Sequence, residues 1–305
     1  MRNDFAQALL EAAAADERIW LLCGDLGYSV LEPFAERFPG RFVNVGVAEQ
    51  NMTGMAAGLA MTGRIVVTYS IANFPVFRCL EQLRVDVCYH RLNVKVVAVG
   101  GGLAYGGQGY THHGVEDLAA MRILPYMTVF APADPVEALA ATRAMLQLDG
   151  PCYLRLGKAG EPVLHSADVR FEVGRAILCR EGDAATIVST GGTLGLALAA
   201  ADELGRVGRS VRVLSMHTVA PLDRDALVAA SRETGGVITV EEHGVGGLTD
   251  AVATELLTSG SFPRGFAAVR LPREPVSGAG SQEYLRSKGG VDVARIVEAV
   301  ERITS

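Results

Sequence analysis

What this sequence has little of excludes several functions. Among its 305 residues are five cysteines, Cys23, Cys79, Cys88, Cys152 and Cys179. An odd number without a C-x-x-C pair builds neither a disulfide framework nor a zinc site, which predicts a reducing, cytoplasmic compartment. Basic residues are outnumbered 34 to 28, for a net charge of −6, so nucleic acid and anionic membrane lack an electrostatic footprint to bind. No apolar run approaches the roughly 20 residues that span a bilayer, and Asp4, Glu11, Asp16 and Glu17 stand where a signal peptide would be apolar. Aromatic residues are scarce, at 6%, beside 35 glycines, a balance that suits α/β architecture with many tight strand-to-helix turns. The 49% hydrophobic and 20% charged shares exclude a disordered or fibrous chain.

At roughly 150 residues per domain the length predicts two domains. Helical periodicity over 5–17 precedes a short apolar run over 19–23, one α/β unit. The alternation continues through strands near 42–45, 64–69, 94–99, 127–130 and 152–156, with helices over 51–61 and 135–148. Short β-branched runs between helices imply a parallel sheet covered on both faces. Periodicity fades over 161–171, a linker carrying Pro162 and Ser166. It resumes with strands near 186–189, 211–215, 236–240 and 267–270 and helices near 194–204, 224–234, 249–258 and 292–303. The expectation is two α/β domains, 1–160 and 172–305.

Open parallel sheets bind ligands at the carboxyl ends of their strands, and four such loops stand out. Gly24-Asp25-Leu26-Gly27-Tyr28-Ser29 brings a carboxylate and a hydroxyl after the first strand. Val45 to Met52 carries Glu49 into a helix rich in glycine and alanine. The run Gly100 to His113 has six glycines, Gln108 and the pair His112-His113, a loop costly in entropy unless something is bound there. Arg155 and Lys158 bring two cations to the last strand of the first domain. Alone, Glu49 reads as a helix-dipole partner worth about 0.3–1 kcal/mol, Phe74 and Phe77 as core residues, and His243 as part of a loop without chemistry, since its own domain offers it no convergent partner.

Together these loops resemble the C-terminal half of transketolase, a thiamine diphosphate enzyme. The resemblance rests on Gly24-Asp25-Leu26 with Ser29, on the unbroken segment Val43 to Leu59, and on Thr111-His112 followed by Glu116. It implies a pyrimidine-binding domain with a parallel sheet flanked by helices, then a second α/β transketolase C-terminal domain. The family's diphosphate-binding domain has no counterpart, because the G-D pairs at Gly24-Asp25 and Gly182-Asp183 are followed by Leu26 and Ala184 rather than glycine. The resemblance is therefore to the β subunit of a split enzyme. A separate α subunit would hold Mg2+ and the diphosphate, in an α2β2 heterotetramer acting on sugars or sugar phosphates.

Family roles carry over by position. Glu49 matches the glutamate that hydrogen-bonds the pyrimidine ring of the cofactor and drives its acid–base relay. Phe74 matches a ring stacked on the pyrimidine, Ile71 stands where a second ring is common, and Asp25 matches a carboxylate near the cofactor at the subunit interface. Arg2, Ser29 and Lys158 match the residues holding the substrate's phosphate end, with lysine replacing the usual arginine and its bidentate fork. His112 matches a histidine near the donor's oxygens. Gly100 replaces a histidine, which predicts a larger pocket there, and Gln108 replaces an aspartate that reads a donor hydroxyl. The implied reaction moves a two-carbon ketol unit from a ketose to an aldehyde. A 2-oxo-acid decarboxylating subunit, resembling deoxyxylulose phosphate synthase or a dehydrogenase β chain, and a non-catalytic paralogue are the alternatives.

Overall fold

A computed structural model of the chain describes residues 1–304. Its first sheet is built from β1 (Ile19–Cys23), β2 (Phe42–Asn44), β3 (Ile65–Ile71), β4 (Val94–Val99), β5 (Thr128–Phe130) and β6 (Cys152–Leu156). The second is built from β7 (Ile177–Arg180), β8 (Ala185–Ser189), β9 (Val211–Ser215), β11 (Val237–Val240) and β12 (Phe266–Val269), while β10 (Thr218–Ala220) leaves its own half of the chain. The orders are β10-β5-β6-β4-β3-β1-β2 and β12-β11-β8-β9-β7. All pairings are parallel except β10 on β5 and β7 on β9. Val, Lys and Ala make up β4, which is buried along its whole length, as a strand covered by helices on both faces must be. Among the described residues no helix is long and apolar enough to cross a membrane.

Three expectations change. The strand β10 has no counterpart among the expected strands; it pairs Thr218 with Phe130 and Ala220 with Val129, so the second half of the chain completes the first sheet. The short edge strand β7 is likewise additional. The helix expected over 51–61 runs Glu49–Met61, which makes Glu49 its first residue and fixes the carboxylate's direction.

The segment 161–171 has no regular helix or strand, yet it is tied down. Asp134 caps the helix Pro135–Gln147 by accepting from Glu137 N at 2.8 Å. Its other oxygen accepts from the Leu164 and His165 amides at 2.8 and 2.9 Å. The His165 ring lies 3.3 Å from Asp134 and 3.4 Å from Glu137, and Glu137 accepts from Ser215 at the end of β9 at 2.6 Å. Burial opposes the charged imidazole, but the Asp134 carboxylate beside it, the Cys179 sulfur and the charge of Glu137 outweigh it and push His165 up to about 10. Burial likewise opposes the Asp134 carboxylate, and the His165 ring and three amides hold it down to about 2. A buried acid–histidine cluster thus joins the first domain, the linker and the second sheet.

Candidate active site

Strands β6, β4, β3 and β1 are consecutive neighbours, so the loops that leave their carboxyl ends lie side by side. Four segments distant in sequence meet there: 24–29, 71–78, 100–113 and 157–158.

Glu49 is 2% exposed. A helix N-terminus alone does not offset the desolvation of a buried carboxylate, and two partners complete it. Ser70, next to last in β3, donates to Oε1 at 3.1 Å, and Arg78 Nη1 donates to Oε2 at 2.9 Å. The same guanidinium lies over the Phe74 ring at 4.0 Å from its centroid. A flat, N–H-bearing cation is therefore seated between a carboxylate and an aromatic face. That is the set of contacts an aminopyrimidine ring needs, so the residues present fit the pyrimidine end of thiamine diphosphate.

From Phe74 the site continues as a line of rings. Phe74 meets His112 edge-on at 5.3 Å, His112 meets Tyr105 at 6.3 Å, and Lys158 Nζ sits 5.0 Å from the centre of the Tyr105 ring. Glu49, Arg78, Phe74, His112, Tyr105 and Lys158 thus form one continuous path from a buried acid to an exposed cation. Arg2 joins the cationic end, electrostatically coupled to both Tyr69 and Tyr105. The Tyr69 hydroxyl and Arg2 Nε are buried without a hydrogen-bond partner among the described residues. Ser29, with φ of 62°, lines a groove with Asn3 and Gln7 beside the start of the first helix.

Gly100 departs from expectation. A side chain there would collide with the Tyr105 ring, so Tyr105 fills the space and glycine at 100 does not enlarge the pocket; the glycine is also required by its φ of 82°. Gln108 ends a short 3-10 turn, exposed, its backbone N–H bonded to Tyr105 O at 2.8 Å. Asp25 is exposed at φ of 57° and accepts from Asn44 at 2.9 Å. Ile71 packs against the apolar cluster on one face of the sheet. Phe77, expected in the core, is 47% exposed.

The second domain holds the glycine loop in place. Glu242, after β11, accepts from Leu103 N at 2.6 Å and is itself fixed by Arg286 Nε at 2.7 Å and Gln282 at 2.9 Å. Arg155 binds the Gly114 carbonyl at 2.6 Å, the Glu242 carbonyl at 3.0 Å and Asp117 at 2.9 Å, all buried. His243 has partners on both sides: from the other domain Leu118 N donates to Nε2 at 3.1 Å and Asp117 Oδ1 lies 3.8 Å away, and from its own domain Glu241 Oε2 lies 4.0 Å from Nδ1. Sequence reasoning missed Ser70, Arg78, Tyr105 and Glu242. Only Arg78 left a local signal, four residues after Phe74 and so on the same side of a helical turn.

The match to the model of "Transketolase, pyrimidine binding domain" covers residues 1–160, and that to "Transketolase, C-terminal domain" covers residues 174–296. The chain is 38% identical over 306 residues to the 6-deoxy-6-sulfo-D-fructose transketolase subunit of Clostridium sp. (strain MSTE9), covering 100% of this chain and 94% of that one. It is 37% identical over 290 residues to an apulose-4-phosphate transketolase subunit of Phocaeicola vulgatus, covering 94% and 92%. A solved structure described as a split gene transketolase, inactive beta4 tetramer, superposes with a TM-score of 0.90 at 38% identity, covering 99% of this chain and 97% of that one. The Campylobacter jejuni transketolase shares the fold, with a TM-score of 0.79 at 22% identity over 46% of its length.

Proposed function

This chain belongs to the transketolase family as a β-type subunit, and we propose that it supplies the pyrimidine half of an active site that moves a two-carbon ketol unit from a ketose to an aldehyde. The observation that carries the proposal is the buried Glu49 carboxylate, held by Ser70 beside the aromatic face of Phe74. Thiamine diphosphate, when bound, supplies the nucleophilic carbon and stabilises the carbanion. Glu49 would hold the pyrimidine ring nitrogen and exchange a proton with it, Phe74 would support one face of the ring, and Asp25 would stand at the subunit edge of the site. His112 would hydrogen-bond the donor's oxygens, with Gln108 reading its hydroxyls or carbonyl through an amide that both donates and accepts.

The diphosphate and Mg2+ belong to an α subunit, and α2β2 is the expected assembly, since oligomers close on symmetric pairs. Arg2, Ser29 and Lys158 would take the substrate's anionic end. Relatives named for a 6-sulfonated fructose and for apulose 4-phosphate both act on sugars that carry an anion, which supports the anionic end, and the unusual sugars themselves support a specialised substrate.

Two experiments test this reading. The purified chain with added cofactor should be inactive and should gain ketol transfer only with its partner; a normal rate without one overturns the shared site. In the assembled complex Glu49→Gln should slow exchange of the thiazolium C2 proton and cut turnover about 10²–10⁴-fold. Unchanged exchange in a variant that still binds cofactor would remove Glu49 from the relay.

A further inference from the structure

Tyr105 has no place in the roles carried over by position, yet it is the hinge of the site's cationic end. Its ring stands where any side chain at position 100 would have to go. One face carries the Lys158 ammonium at 5.0 Å, and its edge meets His112. The loop that bears it is braced by Leu103 N on Glu242 and by the Gly280 amide on the Gly106 carbonyl at 3.3 Å, so the ring is held in place from the second domain. Its half-buried hydroxyl has no hydrogen-bond partner among the described residues, and beside it Arg2 Nε and the Tyr69 hydroxyl lie buried with at most each other as partners. Three donors and a lysine ammonium with no carboxylate paired to them is an environment short of an acceptor, and leaving buried donors unpaired is costly.

We propose that Tyr105 is a specificity-determining residue of this site, its phenol donating to the terminal tetrahedral oxyanion of the donor sugar, a phosphate or a sulfonate, alongside Arg2 and Lys158. The proposal rests on the ketol-transfer reading for the word donor, and on this geometry alone for the anion. Burial raises the phenol's proton affinity, and Arg2 partly offsets this, so Tyr105 stays a donor. Braced from the second domain, the tyrosine ring is also a fixed wall of the pocket. It sets how far the anion can lie from His112, and so selects sugar length as well as charge.

The test uses the assembled complex and three probes that lack a carbonyl and cannot donate a ketol unit: D-glucitol 6-phosphate, its 6-sulfonate counterpart and D-glucitol, titrated by calorimetry. Tyr105→Phe removes one hydroxyl and leaves the ring in place. It should weaken the anionic probes about tenfold or more and leave D-glucitol, however weakly bound, unchanged. Lys158→Ala should weaken the same two probes, and the tighter of them in wild type names the anion. Equal affinity of wild type and Tyr105→Phe for both anionic probes, the same loss with D-glucitol, or no anion binding by wild type each overturns the proposal. A parallel ketol-transfer assay separates the two claims: lost anion affinity in a complex that transfers nothing keeps Tyr105's role and rejects the reaction, whereas transfer with unaltered anion affinity rejects Tyr105 alone.

Discussion

Replacing His165 with glutamine tests whether the linker is a structural joint or slack chain. In the folded protein the ring's proton is held with a pKa of about 10, against an ordinary value of 6.5, because Asp134 and Glu137 flank it at 3.3 and 3.4 Å. A histidine raised in this way stabilises the fold fully below about pH 6.5, and that contribution is lost as pH rises through about 10. Asp134, held down to about 2 from 3.8, contributes stability above about pH 4 that is lost as pH falls through about 2. At 1.36 kcal/mol per unit, the Asp134 shift corresponds to about 2–3 kcal/mol and the His165 shift to about 5. The two share one attraction, three amides also lower Asp134, and Cys179 and Glu137 also raise His165, so the smaller figure sets the scale of the Asp134–His165 pair. His165→Gln should therefore cost about 2–3 kcal/mol at pH 6 and much less at pH 10. Denaturant midpoints collected from pH 5 to 10 read this directly: wild type should weaken across the alkaline limb and the variant should run nearly flat. Parallel curves for the two proteins would refute the reasoning.

Asp117 lies at the junction of the two domains, fully buried between Arg155 and the Tyr153 hydroxyl at 2.6 Å. Asp117→Ala leaves the Arg155 guanidinium buried and uncompensated, and equilibrium unfolding should show a loss of about 3–5 kcal/mol. Gly106→Ala would place a methyl group 2.6 Å from the Gly280 carbonyl and the Leu285 side chain. The resulting overpacking should cost about 1–3 kcal/mol and speed amide hydrogen exchange over 103–113 while leaving exchange in β8 and β11 as in wild type.

Much of the fold was legible because its signals are local. Short apolar runs followed by glycine, interrupted only by Lys95 in β4 and Arg155 in β6, marked β1, β4 and β6, and helical periodicity marked the segments between them. The two strands that went unread are those whose environment is not local. β10 has three residues, pairs antiparallel with a strand 88 positions earlier at Thr218–Phe130 and is buried by the other half of the chain. β7 is an edge strand with its side chains half exposed, so it has no strong hydrophobic period to show.

The site divides in the same way. Glu49, Phe74 and His112 sit in ordered motifs that the sequence by itself made visible, together with the acidic character of the chain. Tertiary structure alone decided that Arg78 and Ser70 complete the Glu49 carboxylate, that Tyr105 occupies the room beside Gly100, and that Glu242 braces the glycine loop and His243 the start of the helix Asp117–Arg122, each some 130 residues away in the chain. The physical reason is that a motif records which backbone a residue rides on, whereas a partner is set by which strands of a parallel sheet are neighbours. Sheet order follows from the packing of the whole chain rather than from any segment of it.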